Sequence, residues 1–168
     1  SNIGSLMIGR KVGEEKLKSF LKKLGLLKIV NFELEEIGRP LNFNWEKCKL
    51  ETVSFGHGIT TTPLQAAAAY ASLTNGGYLV NPTLKLQKKL NTTSQQSIIS
   101  KSTSDQINKI LRKVVTDKEG TGSFADIFGY DVGGKTGTAK SYSNGNKNIN
   151  TFISVFPTEQ PKYVLLVI

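Results

Sequence analysis

The chain has 168 residues, 38% of them apolar, and a formal net charge of +9. That length supports one domain with a core of its own. A lone Cys48, a lone His57 and the lack of any membrane-length apolar run exclude an internal disulfide, a His-rich metal site and a spanning helix within this chain. Only Arg10, Arg39 and Arg112 among the 22 basic residues are arginines. The lysines flank apolar helix positions and read as a solvated face, not as the Arg- and aromatic-rich surface that binds nucleic acid.

The first residue is not Met and no leader peptide is visible, which reads as a processed chain or a cut piece. Ile3 to Val12 is predicted helical, with Ile3, Met7 and Ile8 on one face. A second helix runs from about Glu14 to Leu24, where Leu17, Phe20, Leu21 and Leu24 recur at i, i+3, i+4, i+7. Glu14 and Glu15 open it, Lys22 and Lys23 close it, and Gly25 caps it. Leu26 to Leu50, with Gly38, Pro40 and Trp45, reads as loop. Within it Trp45 and Phe43 suit a small satellite cluster, and Cys48 a small apolar position.

Pro63 to Asn75 is the clearest helix. Thr62 and Gln65 form a capping box, Pro63 takes the first helical position, and Gly76 and Gly77 stop it. Ala66 to Ala69 and Ala71 keep it slim enough to pack on a sheet. Tyr78 to Leu86 is strand-like, with Pro82 placing it at an edge, and Gln87 to Gln96 is a polar loop. Another helix begins between Ser100 and Thr103 and buries Ile107, Ile110, Leu111, Val114 and Val115. It ends before Gly120-Thr121-Gly122. Then come a strand carrying Lys135, a turn over Ser141 to Asn148, and a hairpin of Thr151 to Phe156 with Tyr163 to Ile168. Helices first and an antiparallel meander last make an α+β fold, an antiparallel sheet flanked by helices.

The polar run Gly133-Gly-Lys-Thr-Gly-Thr-Ala-Lys140 is too Gly-rich for core. Gly129 to Thr136 fits the phosphate-loop pattern G-x-x-x-x-G-K-[ST], which needs a helix starting at the Lys. Gly137, Gly145 and the polar residues between them make a poor helix, and no Val/Ile/Leu run ending in Asp follows to hold magnesium. A Gly-rich turn without chemistry is the plain alternative. The strand reading fits better. Tyr130, Val132, Thr136 and Thr138 then share a face, Gly137 lets another backbone come close, and Lys135 adds positive charge. Such a strand suits a peptide-like substrate that docks as an extra strand and ends in a carboxylate.

With that strand placed, the chain resembles the transpeptidase domain of class B penicillin-binding proteins along nearly all its length. Ser1-Asn2-Ile-Gly is similar to the end of that family's Ser-x-Asn motif, although Ser1-Asn2 also fits the scar of a cleaved tag. Phe55-Gly-His-Gly-Ile-Thr-Thr-Thr-Pro-Leu-Gln65 is similar to its Gly-x-Gly-Ile-x-x-Thr-Pro-Leu-Gln block. Gly120-Thr-Gly122 followed by Gly133 to Ala139 is similar to its approach to the third strand. Lys-Thr-Gly resembles the septal cell-division member more than the elongation member.

The resemblance implies a penicillin-binding, serine β-lactamase-like fold, here incomplete, with residues 1–168 forming part of a single domain truncated at both ends. It implies acyl transfer without metal or organic cofactor: a Ser attacks the penultimate D-Ala carbonyl of a peptidoglycan stem peptide, and an amine of a second stem takes the acyl group. β-Lactams would acylate the same Ser. Lys135 would polarise the site, Asn2 contact the substrate amide, and Thr136 and Thr138 hold the substrate carboxylate, with the Thr138 N–H donating to the oxyanion. Gly137 would flank the substrate, and Ser1 would be the middle residue of Ser-x-Asn. A periplasmic site on the bacterial inner membrane and divisome membrane-protein partners are implied with it.

One departure is plain. The family's Ser-x-x-Lys nucleophile motif precedes Ser-x-Asn, whereas the sole match here, Ser19-Phe-Leu-Lys22, follows it on the polar side of a helix. Ser19 and Lys22 are rejected as catalytic, and the nucleophile is expected outside this chain. His57, between two glycines, has no Ser or carboxylate partner in the pattern and reads as structural. The alternatives are a β-lactamase-related hydrolase or β-lactam sensor, and a non-enzymatic nucleotide-binding or divisome interaction module.

Overall fold

The computed structural model describes all residues except 35–39, 41–44, 46–48, 87–95 and 142–146. Phe43, Cys48, nearly all of the predicted polar loop and most of the turn after Ser141 therefore lie outside the described residues. The chain divides into two compact units, Ser1–Gln65 with Asn81–Leu84, and Ala66–Val80 with Lys85–Ile168.

In the first unit, α1 (Asn2–Val12) and α2 (Glu14–Lys23) meet at Gly13, whose φ of 83° lies where a side chain is strained. Gly9 is buried in α1, and a side chain there would strike Ser54 beside α3 (Lys49–Val53). That missing side chain lets α1 and α3 lie together. α3 begins inside the segment read as loop; five residues are too few to show helical periodicity. α2 ends as its sequence implies: Gly25 takes φ 78°, and the Leu26 N–H donates to the Leu21 carbonyl at 3.1 Å. Ser19 and Lys22 are exposed on α2, and Leu24 is buried.

The capping box forms reciprocally at the start of α4 (Pro63–Thr74). The Gln65 N–H donates to Thr62 Oγ1 at 3.2 Å, and the Thr62 N–H donates to Gln65 Oε1 at 2.8 Å. Gln65 goes further than a cap. Its Nε2 donates to the carbonyls of Gly25 (3.3 Å) and Lys28 (2.5 Å), tying down the chain after α2, and the side chain is 1% exposed.

In the second unit, α5 (Lys101–Thr116) is capped by Ser100 Oγ, which accepts from the Thr103 N–H at 3.1 Å. Its buried face is rotated from the apolar stripe read in the sequence. Ser104, Asn108, Leu111 and Val115 are buried, whereas Ile110 is 63% exposed. The polar pair is inside because the last carbonyls of α4 need donors. Ser104 Oγ donates to the Leu73 carbonyl at 2.6 Å, and Asn108 Nδ2 to the Thr74 carbonyl at 3.0 Å.

Tyr78 to Leu86 is not a strand. A single antiparallel bridge joins Tyr78 to Ser97. Asn75 Oδ1 takes the N–H groups of Gly77 and Tyr78, Glu33 takes that of Leu84, and Pro82 has none to give. With those donors, and that of Val80 to Ser72 Oγ, spent on side chains, no ladder forms among the described residues.

The sheet of this unit is antiparallel with order β1-β2-β3, from β1 (Gly133–Ser141), β2 (Lys147–Phe156) and β3 (Tyr163–Val167). Val115, Ala125 and Val132 form its core, with Phe152 and Phe156 packed against them. The helix laid directly on β1 is α5.

Candidate active site

The lead-in to β1 is fixed by charge. Asp131, at φ 47°, accepts from the Thr158 N–H (2.8 Å), Thr158 Oγ1 (2.7 Å) and the Glu159 N–H (3.3 Å). Arg112 of α5 pairs through Nε with Asp131 at 3.1 Å, and its Nη1 donates to Asp126 (3.0 Å) and to the Val132 carbonyl (2.7 Å). Partial burial pushes the Asp131 carboxyl up, but the bonds from Thr158 and Glu159 and the Arg112 charge outweigh it, so its pKa lies below the usual carboxylate value. Tyr130 therefore sits in a turn and Val132 in the core, not on a strand face shared with Thr136 and Thr138.

Gly133 and Gly134 let the strand sink. A Cβ on Gly133 would lie 2.9 Å from the Arg112 N and 3.0 Å from the Leu111 carbonyl carbon, in the backbone of α5. On Gly134 it would lie 2.5 Å from the Phe152 ring. Lys135 then emerges exposed, and its Nζ donates to the Thr136 carbonyl (2.8 Å) and lies 3.4 Å from Thr136 Oγ1. Thr136 Oγ1 lies 2.9 Å from Thr121 Oγ1. Thr138 is exposed.

Gly137 has a close neighbour within the sheet. It pairs with Thr151 of β2, and an added Cβ would lie 2.5 Å from Thr151 Oγ1. The crowding comes from the adjacent strand's side chain.

Among the described residues β1 pairs with β2 alone, so its other edge keeps backbone donors and acceptors open to an incoming strand. Lys135, Thr136, Gly137 and Thr138 are brought together on that edge strand. A phosphate loop would need a helix from Lys135, and this extended strand overturns that reading.

In the first unit, Ser1 caps α1, its Oγ accepting from the Gly4 N–H at 3.5 Å, and Asn2, exposed, opens the helix. His57 is exposed and stacks on Phe55, with centroids 6.4 Å apart. No three His, Cys, Asp or Glu side chains cluster as metal ligands among the described residues, and no helix there is long and apolar enough to cross a membrane.

Sequence reading missed Arg112, Asp131 and Thr158, because no local pattern marks side chains that meet across 19 and 27 positions. Thr121 carried a signal in its flanking glycines.

A helix-flanked antiparallel sheet with Lys-Thr-Gly on an open edge is the architecture of the penicillin-recognising serine acyl-transferases. Residues 1–168 match the family described as penicillin binding protein transpeptidase domain, and the chain belongs to it. It is 34% identical over 180 residues to the probable peptidoglycan D,D-transpeptidase FtsI of Caulobacter vibrioides, covering 100% of this chain and 31% of that one. It is 35% identical over 183 residues to stage V sporulation protein D of Bacillus subtilis, covering 99% and 28%. Penicillin-binding protein 3 of Mycobacterium tuberculosis, solved in complex with ampicillin, superposes with a TM-score of 0.83 at 26% identity, over 99% of this chain and 42% of that one. The chain thus spans about a third of the length of these curated relatives.

Proposed function

We propose that this chain carries part of the active site of a peptidoglycan D,D-transpeptidase, both units being parts of one transpeptidase domain. The observation that carries the reading is the Lys-Thr-Gly-Thr run on the open edge of β1, with Lys135 and Thr138 exposed. A stem peptide, or a β-lactam in its place, adds along that edge as a further strand. Thr136 and Thr138 hold its carboxylate, the Thr138 N–H donates to the oxyanion, and Lys135 supplies positive charge near the reacting carbonyl. Asn2 takes the substrate amide and Ser1 stands in the middle of Ser-x-Asn.

The serine that forms the ester lies in sequence beyond this chain. It attacks the penultimate D-Ala carbonyl, D-Ala leaves, and an amine of a second stem takes the acyl group and frees the serine. A septal role, a periplasmic site on the inner membrane and divisome partners follow from the same family reading. The Bacillus relative is named for sporulation, which makes sporulation the context to separate from septal division.

The test is intact-mass analysis after exposure to benzylpenicillin. The full-length protein gains one stoichiometric adduct, and residues 1–168 alone gain none. An adduct on Ser19 or any other serine of this chain would overturn the placement of the nucleophile; no adduct on the full-length protein would overturn the function.

A further inference from the structure

We propose that Thr121 is a positioning residue for Thr136, holding that hydroxyl ready to donate to an anionic group in front of β1. This rests on the proposed function, in which Thr136 meets the substrate carboxylate.

The two hydroxyl oxygens are 2.9 Å apart, and Thr136 Oγ1 is also 3.4 Å from Lys135 Nζ. The position of Thr121 is built. A Cβ on Gly120 would strike the Val114 carbonyl and lie 2.8 Å from that of Asp117. One on Gly122 would lie 3.3 Å from the Phe152 ring and 3.4 Å from Val114. The three-residue turn is thus pressed onto the end of α5 and onto Phe152, and Phe152 is the cross-strand partner of Thr136. Of that turn only Thr121 carries a side chain, and it reaches Thr136.

A hydroxyl has one proton and two lone pairs. With no anion present, the Thr136 proton is satisfied by Thr121. When a carboxylate arrives, that proton turns to it, and the Thr121 proton swings to the vacated lone pair of Thr136. The pair reverses direction without moving a heavy atom. Aligned in this sense, Thr121, Thr136 and the carboxylate form a chain in which each bond strengthens the next, beside the Lys135 ammonium. Valine at position 121 keeps the shape and removes both the proton and the lone pairs.

The experiment measures second-order acylation of the full-length protein by benzylpenicillin. Thr121→Val is expected to slow it by about five- to tenfold, the effect of one hydrogen bond to a group that itself binds charge. Thr121→Ser, which returns the hydroxyl, restores it, and in a Thr136→Val background Thr121→Val adds nothing further. Thr121 is exposed, so the melting temperature stays near that of the parent; should Thr121→Val melt early, Thr121→Ala gives the same comparison. A parent-like rate in Thr121→Val, a Thr121→Ser variant as slow as Thr121→Val, or full additivity with Thr136→Val overturns the proposal while leaving the proposed function standing. A parent protein that benzylpenicillin does not acylate overturns both.

Discussion

Two polar motifs dominate this sequence, and the structure uses them in opposite ways. Thr62-Pro-Leu-Gln65 is closed: Thr62 and Gln65 are 5% and 1% exposed, and the Gln65 amide serves one N–H and two carbonyls of its own unit. Lys135-Thr-Gly-Thr138 is open, on a strand that among the described residues has one unpartnered edge, and its Lys and second Thr face solvent. A polar motif whose hydrogen-bonding groups are spent internally is scaffold. One whose groups are held in place but left available is a site. Composition alone does not separate the two, because both are short and combine hydroxyl and other hydrogen-bonding side chains with a Pro or Gly.

If that contrast is right, substitutions in the open motif change rate and those in the closed motif change stability. Lys135→Ala in the full-length protein should slow acylation by benzylpenicillin on the order of a hundredfold or more while leaving the thermal melt near the parent's. A large drop in melting temperature would place Lys135 in the scaffold. Gln65→Ala should do the reverse, costing roughly 2–3 kcal/mol in denaturant titration because it removes a cap and leaves the Gly25 and Lys28 carbonyls short of a donor. A stability within experimental scatter of the parent would break the comparison from the other side.

Gly137→Val sharpens it, since this glycine belongs to the open motif but borders β2. The new side chain crowds Thr151 and shifts β1, so acylation should fall about tenfold, as expected when an aligned donor is displaced. Thr151→Ala in the same protein should recover part of the loss. A deficit that Thr151→Ala does not touch would mean the side chain obstructs the substrate instead.

The smallest effect is expected from pH. Asp131 has a folded-state pKa below its unfolded value. The stability it contributes is therefore complete above the unfolded pKa of about 3.9 and is lost as pH falls through the folded-state value. Melting curves between pH 5 and 2 should show an acid-side loss that Asp131→Asn reduces; identical slopes in the two proteins would remove Asp131 from the account.

Much of this was legible from local pattern. The capping box, the Gly25 cap, the start of α5 at Ser100 and the β2–β3 hairpin each depend on residues within a few positions of one another, where spacing and turn chemistry act directly. What was not legible depends on distant partners. Ser104 and Asn108 are buried against apolar expectation because the end of α4 lacks donors. Tyr78 to Leu86 has strand composition but gives the N–H groups of Tyr78, Val80 and Leu84 to the side chains of Asn75, Ser72 and Glu33. Within the site, the edge strand and its Lys-Thr-Gly were readable, whereas the Arg112–Asp131–Thr158 clamp joins three separate segments. Gly137 was read for lack of a side chain, and the pairing with Thr151 across the sheet, which also needs that lack, was not read.

The open edge of β1 also bears on how the protein behaves in concentrated solution. A row of unpaired backbone groups is also a template for pairing with another copy of the chain, and natural sheets guard such rows with lysine. Lys135 stands on that edge, exposed, in a chain of net charge +9. Two copies meeting edge to edge bring like charges together. The ammonium assigned above to an anionic substrate is thereby also a colloidal safeguard, and neutralising it is expected to lower the barrier to self-association.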